Sequence, residues 1–266
     1  MGRADNGIHT MLTHAVVRPP SANFADGLTG VGLGKPDVAR ALEQHGRYCA
    51  TLEQCGLALT RLPADADFPD STFVEDTAVV AQDVAILTRP GAAARLGEVR
   101  RIEPTLRARF SRFHAISAPG TLDGGDVCQV ENHCFIGLSE RTNEEGARQL
   151  AGFLAQEGCT STAVDIRGMR GILHLKSGIS YLGNDRIVLI DGFAQHTAFR
   201  NYEIVRVARG EGYAANLLSL NDHVVIAAGF PKFEAAVRAL GYDVIALDMS
   251  EFRKMDGALT CLSLRF

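Results

Sequence analysis

The chain has 266 residues, 46% of them hydrophobic and 22% charged, with a formal net charge of −4, enough apolar material for one large globular domain or two small ones. The mild negative balance and the absence of basic blocks argue against nucleic acid as the main partner. No stretch reaches the roughly 18 apolar residues of a membrane span, and "MGRADNGIHT" lacks an apolar signal core, so a cytoplasmic protein with a loose tail over about residues 1–10 and no membrane partner is expected.

In chain order, "PDVARALEQHGRYCATLEQCG" (36–56) reads as a helix opened by Pro36 and closed by Gly56, followed by the strand "LALTRL". "FVEDTAVVAQ" and "VAILTR" are two short strands, then a helix over roughly 93–110 and a strand near "FHAIS". The same order returns. "GDVCQVENHCFIGLS" is a hairpin turning at "ENH", and "TNEEGARQLAGFLAQEG" is a helix with Thr142 as its cap and Glu145 three residues on, before the strand "STAVDIR".

Two looser passes follow. "HLKSGISYLGNDRIVLID" is a strand pair around "GND", then a variable segment and "EIVRVA"; "AANLLSLNDHVVIAAG" is another pair, followed by the helix "PKFEAAVRALG" and the strand "DVIALD". "HAVVR" near the start and "GALTCLSLRF" at the end complete a fifth unit. Five strand–strand–helix–strand units without linkers predict an α/β architecture whose repeats stack or close into a ring. A ring whose last unit mixes both termini would clamp Cys261 in a strand, although it lies five residues from the end.

The six cysteines include no C-x-x-C pair and resemble neither a disulfide framework nor a metal site. Cys49, Cys55, Cys134 and Cys159 read as small buried hydrophobes.

Four stretches place polar residues where apolar ones would be expected: "FPDSTFVEDTAVV" with Asp70, Glu75 and Asp76; "TLDGGDV" with Asp123 and Asp126; "LHLKSG" with His174; and "MDGALTC" with Cys261. Singly, each has a plain structural reading as a turn, a cap or a packed side chain. Together, a Cys, a His and a carboxylate make a nucleophile, a base and its orienting partner. Extra carboxylates oppose thiolate formation, which makes sense when the substrate is itself a cation. A guanidinium fits: permanently charged, planar, and best held by carboxylates along its edges.

The stretches "DGLTGVGLGKPD", "FPDSTFVED", "LTRPGAAAR", "LDGGDV", "GLSERTN", "LHLKSG", "YAAN" and "KMDGALTC", in this order, closely resemble the dimethylarginine dimethylaminohydrolases of the guanidine-modifying superfamily, over nearly the whole chain from about residue 12. The resemblance implies a five-bladed α/β propeller (pentein) forming a single catalytic domain over 1–266. It implies hydrolysis of Nω-methylated arginine to citrulline and an amine, without metal or organic cofactor. By the same resemblance, Cys261 is the nucleophile, His174 the general acid and base, and Asp123 the third member, where some relatives carry Glu. Asp76 grips the guanidinium. Asp70 and Glu75 bind the substrate or support groups that do, Asp70 being a candidate for the α-ammonium. Arg95 and Arg141 hold the α-carboxylate, Leu28 lies in a lid loop rich in glycine, and the Met255 carbonyl meets the α-amine.

Lys176 stands where arginine deiminases and amidinotransferases tend to carry an Asp, a second guanidinium clamp. Its replacement removes a charge that would demand an unsubstituted nitrogen. Rival readings are a deiminase, another guanidino hydrolase, an amidinotransferase, or a silent arginine-binding module. A ring edge also offers a surface at which two copies could pair as a homodimer.

Overall fold

The computed structural model describes residues 11–266, so the expected tail over 1–10 lies outside the described residues. Its elements are β1 (His14–Val17), α1 (Val38–Gln54), β2 (Ala58–Arg61), β3 (Ala78–Ala81), β4 (Val84–Leu87), α2 (Glu98–Arg107), β5 (Arg112–Ala115), β6 (Val127–Val130), β7 (His133–Leu138), α3 (Glu144–Gln156) and β8 (Thr160–Asp165). They continue with β9 (Ile179–Gly183), β10 (Arg186–Leu189), β11 (Glu203–Arg206), β12 (Leu218–Leu220), β13 (His223–Ala227), α4 (Pro231–Ala239), β14 (Asp243–Leu247), α5 (Ser250–Arg253) and β15 (Ser263–Arg265).

The strands form five three-stranded sheets: β3-β4-β5, β6-β7-β8, β9-β10-β11, β12-β13-β14 and β15-β1-β2. In each, the first strand pairs antiparallel with the second and the second pairs parallel with the third. A parallel pair needs a crossover connection, and α1, α2, α3 and α4 supply it in four sheets. In β9-β10-β11 two short 3-10 turns, Asp191–Phe193 and Thr197–Phe199, replace the helix. Their Phe193 and Phe199 are buried and fill the space a helix face would cover.

The ring is visible in the cores. Each of five hydrophobic clusters draws from two neighbouring sheets: Val79 with Ile136, Phe135 with Ile187, Val188 with Ile226, Val225 with Ala15, and Val16 with Ala85. The last two flank the sheet that holds β1 and β15, one joining it to β12-β13-β14 and the other to β3-β4-β5, so the sheets close into a five-bladed α/β propeller. The closing blade is made by both termini: β15 pairs with β1 through Ala15↔Arg265, Val16↔Leu264 and Val17↔Ser263.

Local chemistry explains the boundaries. Helix α1 starts after Asp37, whose side chain accepts the Arg40 N–H, and buries Ala41, His45, Tyr48 and Leu52 at helical spacing. It stops before Gly56, whose φ of +92° suits glycine. The cap of α3 differs from the sequence expectation: Asn143, not Thr142, accepts the Gly146 N–H at 2.8 Å. Thr142 is buried and spends its hydroxyl on Asp126 and on the Asp123 N–H. Likewise "FVEDT" is not strand: Val74–Thr77 is a 3-10 turn and the strand begins at Ala78.

That turn recurs. Short 3-10 turns stand before every inner strand: Val74–Thr77, Gly124–Asp126, Leu175–Ser177, Gly212–Ala215 and Thr260–Leu262. Among the described residues, no helix is long and apolar enough to cross a membrane.

The closing strand is tied to α1 by the fully buried Tyr48, whose hydroxyl meets the Leu259 carbonyl at 2.9 Å and Ser263 Oγ at 2.6 Å. Removing it leaves a buried carbonyl without that partner. Tyr48→Phe is therefore expected to lower the unfolding free energy by about 1–3 kcal/mol, read as a shifted urea midpoint at unchanged slope. An unmoved midpoint would contradict this role.

Candidate active site

The five turns converge at one end of the inner strands, and four of them carry or adjoin the polar side chains of the site. The first turn brings Glu75 and Asp76. Asp76 is buried, accepting the Gly125 N–H at 2.9 Å and Arg95 Nη1 at 2.6 Å. Burial works against its charge, but the His174 and Arg95 cations and the Gly125 N–H hold its carboxyl below the usual range.

The second turn brings Asp123, fully buried, with one oxygen on the Gly91 N–H at 2.8 Å and the other on His174 Nε2 at 3.0 Å. "DGGD" is the reason the pieces approach so closely. A Cβ on Gly125 would stand 2.6 Å from His174 Nδ1 and 2.9 Å from Asp76, so any side chain here would push the imidazole and carboxylate apart. Asp126, the second carboxylate of the motif, faces away from this cluster. It accepts the Leu175 N–H at 2.9 Å and the hydroxyls of Ser139 and Thr142 at 2.6 and 2.7 Å, fixing the turn that carries His174.

His174 begins the third turn and is buried. Burial disfavours the imidazolium, but the charges of Asp76 and Asp126 and the bonded Asp123 overcome it and raise its pKa to about 9. At neutral pH it is a protonated acid, held by Asp123 in a fixed orientation.

Cys261 lies in the fifth turn, half-buried, two residues before β15. Burial pushes the thiol up and Glu75 and Asp76 add to it, while the Ala258 backbone contact and Lys176 oppose; the result is about 12. The resting sulfur is a thiol.

Glu75 is committed beneath this layer. Its Oε1 meets Lys176 Nζ at 2.6 Å and Arg265 Nη2 at 3.0 Å, and its Oε2 accepts the Thr260 hydroxyl at 2.7 Å. Glu75, Lys176, Thr260 and Arg265 form one end of a cavity of about 690 Å³ that runs along the inner strands and is not lined by Asp76, His174 or Cys261.

On the other side lies the segment around Leu28. The Leu28 N–H points at both oxygens of Asp70 (3.1 Å each), the Thr29 hydroxyl donates to the Lys254 carbonyl at 2.9 Å, and the Gly30 N–H donates to Asp256 at 2.6 Å. Asp70 is buried, and burial raises its pKa against the pull of Arg95, the Leu28 N–H and Arg141. Met255 is buried in the core beside Gly27. This segment flanks a second cavity of about 400 Å³ lined by Val31, Leu33, Tyr213, Asn216 and Asp256 among others.

Arg95 lies deeper than its expected role implies. Its Nε and Nη2 fork onto Glu98 (3.0 and 2.8 Å), Nη2 also reaches the Phe73 carbonyl, and Nη1 holds Asp76. One Nη1 hydrogen is left. Arg141, by contrast, makes no ion pair among the described residues; its backbone N–H is anchored by Ser139 Oγ at 2.9 Å.

Oxygens of Asp76 and Asp123 and a nitrogen of His174 lie within 4.8 Å of one another, a spacing one cation could bridge. A metal there would have to break the Asp76–Arg95 pair and the His174–Asp123 bond.

The structure thus joins Asp76, Asp123, His174 and Arg95 in one cluster and Leu28 to Asp70, with Glu75 committed to Lys176, Thr260 and Arg265. Cys261 lies in the turn beside Thr260 and, among the described residues, makes no side-chain hydrogen bond to the cluster. Sequence reading gives no site role to Asp126, Glu98, Asn216 or Arg265, and takes Thr142 only as a helix cap. Asp126 alone carried a signal, as the second carboxylate of "DGGD".

The raised His174 pKa has a stability consequence. Its folded value of about 9 lies above the ordinary 6.5, so its contribution is fully present below pH 6.5 and is lost as pH rises through about 9. The shift corresponds to roughly 3 kcal/mol. Urea unfolding should show stability falling across that window in the native protein, and that component missing in His174→Gln. Equal pH profiles for the two proteins would refute the assignment.

Comparison with known proteins agrees with this geometry. The family described as arginine deiminase matches residues 69–211. A dimethylarginine dimethylaminohydrolase from Pseudomonas aeruginosa is 42% identical over 257 residues, 96% of this chain and 100% of the relative. One from Streptomyces coelicolor is 34% identical, over 94% and 96% of the two chains. Among solved structures, a cysteine-to-serine variant of the Pseudomonas aeruginosa enzyme complexed with citrulline superposes with a TM-score of 0.93 at 41% identity, covering 96% of this chain and 100% of that one. The N-terminal domain of ArgZ, an arginine dihydrolase, reaches 0.86 at 17% identity over 96% and 97%, a likeness of fold alone. Identity of this extent over whole chains, on a propeller with the same closure, makes the chain a member of the dimethylarginine dimethylaminohydrolase family of penteins.

Proposed function

We propose that this chain hydrolyses Nω-methylated arginine to citrulline and dimethylamine or methylamine, with Cys261 as nucleophile. The observation that supports the reading is that Cys261, Asp76, Asp123 and His174 all lie at the 3-10 turns of the ring, where Glu75 and Asp76 add to the burial that pushes the thiol up to about 12. Such a thiol gains nothing from His174 as a base at rest. It needs a cation beside it, and the substrate guanidinium is one.

The guanidinium binds against Asp76, and its charge converts Cys261 to the thiolate, the proton leaving to solvent. The sulfur attacks the guanidinium carbon and forms a tetrahedral adduct. The imidazolium of His174 protonates the methylated nitrogen, the C–N bond breaks, and neutral amine departs. An S-alkylthiouronium remains on Cys261. His174, now neutral, takes one proton from water and the oxygen adds to the same carbon. The C–S bond then breaks to return the thiolate, the hydroxyl proton leaves to solvent or the departed amine, and citrulline is released. Asp123 keeps the imidazole oriented through both halves.

At the other end of the substrate, Arg141 supplies the fork for the α-carboxylate and Arg95 its remaining Nη1–H. Asp70, already turned to the Leu28 N–H, takes the α-ammonium with the Met255 carbonyl, and the segment around Leu28 closes over both. Lys176 fits a methylated substrate because it is drawn to Glu75 and presents no second anionic clamp. The six unpaired thiols suit a reducing cytoplasm.

Purified protein given asymmetric dimethylarginine and arginine separately is expected to release citrulline and dimethylamine from the first and little product from the second. Activity on arginine alone would favour a deiminase. Cys261→Ser should lose turnover by about a thousandfold or more with its fold unchanged. Substantial residual turnover would exclude Cys261 as nucleophile. Arg141→Ala should raise KM about tenfold or more while kcat falls less; an unchanged KM would remove Arg141 from the carboxylate site.

A further inference from the structure

The fourth blade brings no catalytic group to the centre, yet its turn, "GYAA", ends at a buried polar residue. Asn216 is 3% exposed, and every hydrogen-bonding group of its amide is in use. Nδ2 donates to the Lys176 carbonyl at 2.9 Å and to Thr260 Oγ1 at 2.9 Å, while Oδ1 accepts the Thr260 N–H at 3.0 Å. Lys176 lies two residues after His174, and Thr260 is the residue before Cys261. One side chain therefore joins the turn that carries the acid to the turn that carries the sulfur.

The bonds close on themselves. Thr260 Oγ1 passes its own proton to Glu75 Oε2 at 2.7 Å, Glu75 Oε1 meets Lys176 Nζ at 2.6 Å, and the Lys176 carbonyl returns to Asn216. Four blades are linked in this loop, through Glu75, Lys176, Asn216 and Thr260. The same fourth-blade turn adds a second tether, the Tyr213 hydroxyl donating to the Gly257 carbonyl at 2.8 Å, four residues before Cys261.

We propose that Asn216 is a positioning residue for this reaction: it sets the placement of the Cys261 sulfur relative to His174 by clamping Thr260 to the Lys176 backbone. The inference rests on the assignment of Cys261 as nucleophile and His174 as acid. It follows from what the clamp would otherwise leave behind. Without Asn216, the Thr260 N–H and the Lys176 carbonyl lose a buried partner; the turn bearing Cys261 keeps its bonds to Glu75, Tyr48, Tyr213 and Arg265, none of which holds the backbone that follows His174. Displacing a reacting group by about 1 Å can cost about a hundredfold in rate. Neither Asp76 nor Arg141 depends on this clamp, so substrate affinity should be spared.

The test is steady-state kinetics on asymmetric dimethylarginine. Asn216→Ala should lower kcat about a hundredfold with KM within about threefold of the native value. Asn221→Ala is the stability control: Asn221 ties Leu12 and Cys55 together at the hairpin between β12 and β13, and its loss should lower the melting temperature while kcat stays native well below it. Thr260→Val breaks the hydroxyl corner with Asn216 intact and should show the same kcat loss, whereas Thr260→Ser keeps the hydroxyl and should restore the rate. If Asn216→Ala does not fold, the Thr260 pair decides the matter. Native kcat in folded Asn216→Ala or Thr260→Val, or a loss no larger than in Asn221→Ala, would overturn the proposal. A native enzyme without dimethylamine release, or an active Cys261→Ser, would instead overturn the functional reading beneath it.

Discussion

The pairing of β15 with β1 is the constraint on which the site depends. Chain ends usually fray, yet this one is buried as the inner strand of the closing blade, between Leu264 against Val16 and Tyr48 against Ser263. Closing the ring puts five 3-10 turns at one end of five inner strands, and the turn with Cys261, the proposed nucleophile, is the fifth contribution to that circle. Residues distant in sequence, such as Cys261 and His174, come to the same end of the ring because each lies at the 3-10 turn of its own blade. The position of Cys261 two residues before β15 follows from the closure of the ring.

Electrostatics decide the order of events within this frame. Three carboxylates surround His174, and their attraction outweighs burial, so the imidazole starts charged. Burial, with Glu75 and the shared Asp76, holds the Cys261 thiol protonated. A guanidinium about 4 Å from the sulfur contributes roughly 4 kcal/mol at an effective dielectric of about 20. That is about three pKa units, enough to bring the thiol from about 12 to within reach of neutral pH. In the proposed reaction, acid and nucleophile are thus both ready only when substrate is present, and an empty site keeps a quiet sulfur.

Much of this was legible in the sequence. The five units were readable because apolar periods and turn residues repeat, and Cys261, His174, Asp123 and Asp76 stood out as polar groups in apolar company. The missing fourth helix was not legible, because Phe193 and Phe199 on short turns do the packing without a helical period. Thr142 and Asn143 are adjacent and equally good caps on paper; only the tertiary demand of Asp126 for a buried hydroxyl assigns them. Arg95 looked like a carboxylate ligand, while Glu98, one helical step on, draws its fork inward. Asn216 carried no sign of its role, since its partners are a backbone carbonyl and a threonine that sequence spacing cannot bring together.

The most direct test is the ultraviolet thiolate absorbance of the native protein minus that of Cys261→Ser, followed with pH with and without a short alkylguanidine. The account predicts no thiolate step through about pH 10 in the free protein and a step lowered by about three units when the cation is bound. A step at or below about pH 8 in the free protein, or one that the cation does not move, would contradict it.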